Sequence, residues 1–137
     1  MATQIYVHLP VKDLERSVAF FTRLGFTFDP KFTNEQATCM IIGENIFVML
    51  LVEPFFRGFT SKPLSDATKA TEVILSLSVE SRAAVDELVA RAVAAGGTTP
   101  RPAQDHGFMY QHGYDDLDGH AWEVFHMPSS PGATPAA

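Results

Sequence analysis

The chain runs twice through one order of elements, a strand, a helix and then three strands, and this repeat limits its folds more than any other feature. In the first pass Ile5, Val7 and Leu9 alternate with Tyr6 and His8, as a strand with one buried face requires. Asp13 stands where a helix N-cap belongs, Leu14, Val18, Phe21 and Leu24 recur at helical spacing, and Gly25 follows as a stop. Strand-forming stretches follow at 26–32, 36–42 and 46–52, separated by Pro30 and by the turn residues Gly43, Glu44 and Asn45.

From Thr71 the order begins again. Val73, Leu75, Leu77 and Val79 share one strand face, and Ser81 caps a second helix whose stripe is Val85, Leu88, Val89 and Ala92. Gly96 and Gly97 end that helix. Short strands are expected near Thr98, over 108–115 and over 120–126, with Asp118-Gly119 as the hairpin turn between the last two. Val79 stands 68 residues after Val11, whereas Pro128 stands 74 after Pro54, so the second half is six residues longer. The pattern predicts an α+β domain over 1–127, with two βαβββ modules at about 3–56 and 71–127. The connecting segment, 53–70, carries Phe55, Phe56 and Phe59 among Pro54, Gly58 and Pro63, and its aromatics need a surface to pack on. The tail, 128–137, lacks apolar periodicity and is expected to be disordered.

The formal charge is −6 over 137 residues, which gives no basic footprint for nucleic acid and disfavours anionic membranes. There is no apolar run long enough to span a bilayer, and the opening Met1-Ala2-Thr3-Gln4 lacks a leader pattern, so the expected location is cytoplasmic. Cys39 is the single cysteine and sits among Met40, Ile41 and Ile42, the setting of a buried strand thiol.

Three motifs are more specific together than apart. Leu9-Pro10-Val11-Lys12-Asp13-Leu14-Glu15-Arg16-Ser17 carries V-x-D-x-x-x-S, Phe20-Phe21 and Leu24-Gly25-Phe26 follow an F-Y-x-x-L-G-F pattern, and Asp116-Leu117-Asp118-Gly119-His120-Ala121-Trp122-Glu123 follows D-P-D-G-x-x-x-E. In that order and spacing the chain resembles the vicinal oxygen chelate superfamily, which includes glyoxalase I, extradiol dioxygenases, fosfomycin-resistance proteins and bleomycin-binding proteins. The resemblance covers about residues 3–127 and implies that the two modules form a cupped mixed β-sheet with helices on its convex side.

In its metal-dependent members a divalent ion is held in the cup by side chains from the first and last strands of each half. The resemblance carries those positions onto Tyr6, Ile74, Met49 and Glu123, the two halves being related by the 68- and 74-residue offsets. Only Glu123 is a good ligand for a hard or borderline ion, since isoleucine has no donor, a thioether is soft and a neutral phenol is weak. No catalytic metal or other cofactor is expected. A displaced set, His8, Glu72 and Glu123, is the fallback, because period-two spacing keeps these residues on the cup face. Glu123 is also a candidate base if it lacks a partner there.

Ligand-binding candidates are Tyr6, His8, Phe47, Met49, Ile74, Glu123 and Phe125 on the cup face, with Phe55, Phe56 and Phe59 at its mouth. His126 and Trp122 have the opposite parity and are expected in the core, while His106, His112 and His120 are expected at the surface. The resemblance implies a homodimer that binds a hydrophobic or aromatic small molecule, an antibiotic being one possibility, without a metal. The alternative it implies is a glyoxalase I-like lyase, an isomerase or an extradiol dioxygenase.

Overall fold

The computed structural model describes residues 2–128, so most of the tail read over 128–137 lies outside the described residues. The first module runs β1 (Ile5–Val11), α1 (Leu14–Leu24), β2 (Thr27–Asp29), β3 (Ala37–Gly43) and β4 (Ile46–Val52). A short α2 (Glu53–Phe56) opens the connection to β5 (Ile74–Ser78), α3 (Arg82–Ala94), β6 (Gln104–Asp105), β7 (Tyr110–Asp115) and β8 (Ala121–His126). Each module makes its own four-stranded mixed sheet, in the orders β1-β4-β3-β2 and β5-β8-β7-β6. The repeat is kept residue by residue. Tyr6 lies beside Phe47 and His8 beside Met49 in the first sheet, where Ile74 lies beside Ala121 and Ser76 beside Glu123 in the second.

Local chemistry accounts for the element ends. Asp13 accepts the Arg16 amide at 3.1 Å, and Ser81 accepts that of Ala84 at 3.0 Å. The strand expected over 26–32 stops at Asp29, which accepts the Lys31 amide and starts a 3₁₀ turn with Pro30 in its first position. Thr98 makes only an isolated bridge to Asp115, and the two-residue β6 is an element the sequence pattern did not mark.

The core lies between the modules. Phe20, Phe21 and Leu24 of α1 and Val85, Val89 and Ala92 of α3 meet Leu9, Val11, Met40, Val48 and Leu50 of one sheet and Tyr114, Trp122 and Val124 of the other. Phe21 reaches Trp122 with ring centres 5.3 Å apart, so the first helix packs on the second module's sheet. Full burial of each of the valine, leucine, methionine and phenylalanine side chains contributes roughly 1.5–3 kcal/mol. Strand alternation then turns Tyr6, His8, Ile74, Ser76 and Ser78 outward, away from both helices.

Two features of this packing give testable outcomes. The Tyr114 hydroxyl is buried without a hydrogen-bond partner among the described residues. Because a buried unpaired hydroxyl costs about 1 kcal/mol or more, Tyr114→Phe is expected to raise the urea midpoint, and a lowered midpoint would mean that the hydroxyl has a partner in solution. At the surface, Arg82 clasps Asp105 through contacts of 2.7 and 2.9 Å while its guanidinium lies 5.0 Å from the Tyr110 ring centre. The Arg82 hydrogen bonds hold the Asp105 carboxyl at about 2. Since that pKa is depressed, the pair's stabilisation is complete above the ordinary carboxylate value and is lost as pH falls through about 2. Asp105→Asn should flatten that acid-side loss in urea midpoints measured against pH.

Candidate functional site

The D-x-D-G segment builds a turn that joins the modules. Asp116 is buried, and its carboxylate accepts the Trp122 indole N–H at 2.9 Å and the amides of Asp118 and His120 at 3.0 Å each. Burial pushes this carboxyl up, while His120 and the three donors pull it back. The turn places Asp118 against the first module, where it accepts the Lys12 amide at 2.9 Å and the hydroxyl of buried Ser17 at 3.3 Å. Nε2 of His120 meets the Pro10 carbonyl at 2.7 Å. His120, expected at the surface, is half-buried because it links β8 to the end of β1. Gly119 has φ 86°, and a Cβ there would come within 2.9 Å of the Thr68 amide nitrogen, so the connecting segment passes directly over the turn. His126 holds the Val79 carbonyl at 2.9 Å, and Trp122 is 1% exposed in the core.

The outward sheet faces carry the candidate binding residues, in three groups. On the first sheet Tyr6 stacks on Phe47 with ring centres 4.7 Å apart and planes 15° apart, with half-buried Met49 on the same face. Cys39 shares that face but is buried, and burial, then the Asp29 charge, pushes its thiol up. Along the connecting segment, His8 meets Phe59 edge-on at 5.0 Å, and Phe59 meets Phe55 at 5.5 Å. His8, Phe56 and Glu72 line a cavity of about 160 Å³ beneath this segment.

On the second sheet a cavity of about 470 Å³ is lined by Ile74, Ala121, Pro100 and Pro102 and by the polar side chains Gln104, Gln111, Asp115 and Glu123. Phe125 is half-buried two residues beyond Glu123 on the same face. Glu123 pairs with Arg101 at 3.5 Å. The loop carrying Arg101 is anchored by His112, whose Nε2 meets the Arg101 carbonyl at 3.1 Å.

Tyr6 and Met49 therefore lie on one sheet, Ile74 and Glu123 on the other, and neither of these two cavities joins the pairs. The displaced set is not assembled within one chain either: His8 and Glu72 line the small cavity and Glu123 the large one. Among the described residues no three His, Cys, Asp or Glu side chains cluster as a metal site. Strand parity, on which their expected place in one cup rests, fixes a face but not which faces meet.

Residues 3–43 match the family model described as bleomycin resistance protein-like N-terminal. Solved structures match over most of the chain. A hypothetical protein from S. aureus is 29% identical, with 91% of this chain and 94% of that one covered and a TM-score of 0.77. A glyoxalase-related enzyme from Fulvimarina pelagi is 23% identical, with coverage of 96% and 92% and a TM-score of 0.79. The chain has the glyoxalase/bleomycin-resistance fold. An antibiotic binding protein from Streptomyces sp. CB03234 has the same fold at 16% identity, with coverage of 93% and 98% and a TM-score of 0.66. No curated protein matches at a significant level.

The positions at which the resemblance would put metal ligands are Tyr6, Met49, Ile74 and Glu123. This donor set does not fit a metal ion, because three of the four side chains are a phenol, a thioether and a hydrocarbon, and the fourth is already paired with a guanidinium. The motifs that carry the resemblance act here on packing: Ser17 of the first and Asp118 of the last form one inter-module contact. Arg101, Gln104, Gln111 and Asp115 are lining residues that the sequence reading did not single out. Counting back along the Asp118-Gly119 hairpin from Glu123 could have found Gln111 and Asp115, but no periodic signal marks Arg101.

Proposed function

We propose that this chain is a small-molecule-binding protein of the glyoxalase/bleomycin-resistance type, which holds a hydrophobic or aromatic compound between two copies without a catalytic metal. The observation that carries this reading is the open cavity of about 470 Å³, with an apolar wall at Ile74, Ala121, Pro100 and Pro102 and a few convergent polar groups. A second copy supplies the missing wall: the outward Tyr6–Phe47 stack is a flat aromatic surface left uncovered in the single chain. Sequestration of an antibiotic is one use of such a pocket. A lyase, isomerase or dioxygenase reading lacks the donor set that its metal chemistry requires. Among the described residues no helix is long and apolar enough to cross a membrane, and the chain's charge of −6 argues against nucleic acid as the partner.

Sedimentation of the purified protein should give a dimer, and equilibrium dialysis against a panel of aromatic natural products should find at least one saturable binder. Ile74→Asn, which puts a neutral amide into the apolar wall, should weaken that binding by about tenfold or more. A monomer with no saturable binding across the panel would end this reading.

A further inference from the structure

We propose that the larger cavity selects ligands carrying a protonated amine or amidine, with Glu123 as their counter-ion and Arg101 as the internal cation they displace. This rests on the pocket proposed above and specifies its ligand class.

The floor around Glu123 is built for approach. In register its neighbours are Ser76 on β5 and Gly113 on β7, two of the smallest residues available. Gly113 is required where it stands, since a Cβ would lie 2.7 Å from the Trp122 carbonyl oxygen, and its bareness keeps the space beside the Glu123 side chain open. The Glu123 side chain is only 25% exposed, so its charge is poorly served by water. Its one partner among the described residues is Arg101, 67% exposed, through a single contact of 3.5 Å. A well-formed charged hydrogen bond is shorter, roughly 2.7–2.9 Å, and a guanidinium can hold a carboxylate through two contacts at once. This pair uses neither option.

Displacement needs little rearrangement. His112 holds the Arg101 backbone and prolines flank it on both sides, so the side chain can swing to solvent while the loop stays in place. The charge balance of the wall favours a cation. Asp115 lies on the same face, diagonal to Glu123 across the β7–β8 pair, and burial pushes its carboxyl up. Of these two carboxylates only Glu123 is paired with Arg101 among the described residues, so an incoming anion would meet excess negative charge on this wall while an incoming cation would offset it.

The test uses one aromatic ring with three charges: 1-naphthylmethylamine, 1-naphthylmethanol and 1-naphthylacetate, titrated into the full-length protein by calorimetry at pH 7. The amine should bind about tenfold more tightly than the alcohol, and the acetate more weakly than either. Glu123→Gln should bring the amine down to the level of the alcohol, and Arg101→Ala should widen the amine's advantage by removing its competitor. Melting curves of both variants establish that they are folded. An acetate that binds best and loses its advantage in Arg101→Ala would overturn the inference and make Arg101 an anion reader. Equal binding of all three would overturn it while leaving the aromatic pocket intact, whereas no binding by any of them would count against the pocket itself and the inference with it.

Discussion

Replacing Asp116 with alanine should cost the fold about 3 kcal/mol, because it strips the acceptor from three donors at once, the Trp122 indole and the amides of Asp118 and His120. The loss should spread beyond the turn. Asp118 and His120 hold the first module at Lys12, Ser17 and Pro10, so a loosened turn weakens the contact between modules. Asp116→Asn, which retains one oxygen for the backbone amides, should lose less, and Asp118→Ala less again because its two contacts are nearer solvent. Urea unfolding followed by the fluorescence of Trp122, the chain's one tryptophan, measures all three. A loss below about 1 kcal/mol for Asp116→Ala would show that the buried acid is not what holds the turn.

The second large effect concerns metal. Wild-type protein dialysed against zinc should retain none stoichiometrically, whereas the triple variant Tyr6→His, Met49→Glu, Ile74→His, with Glu123 retained, should gain at least roughly a thousandfold in zinc affinity, since it supplies four preorganisable donors. Two of those positions lie on each sheet, so retained zinc should accompany the dimer and disappear from any monomer fraction. Metal analysis across a sedimentation or gel-filtration profile reads both. Stoichiometric zinc, nickel or iron in wild-type protein, lost in Glu123→Ala, would restore the enzyme alternative.

Much of this architecture is legible in the chain itself. The helices were readable from Asp13 and Ser81, whose side chains cap them within three residues, and from stripes that lie on one face by simple periodicity. The repeat was readable too, and it extends to register: positions 6 and 74, and 49 and 123, occupy equivalent places in the two sheets. The limits of the reading were at Pro30, where an expected strand becomes a 3₁₀ turn, and at β6, whose two residues are too few to leave a pattern. His120 was misplaced because a turn residue's exposure depends on what packs over the turn, and here β1 and the connecting segment do.

The sequence by itself determined the order of the elements, the two-module α+β class and the face each strand residue occupies, because caps, turns and alternation act over a few residues. Only the tertiary structure decided which faces meet. Packing of Phe21 on Trp122, residues a hundred positions apart, joins the modules through their helical sides and leaves the four cup positions as two separate pairs. The partner of Glu123 was decided in the same way, by where a proline-flanked loop could bring a guanidinium. Such choices depend on burial and contact between distant segments, and no local pattern encodes them.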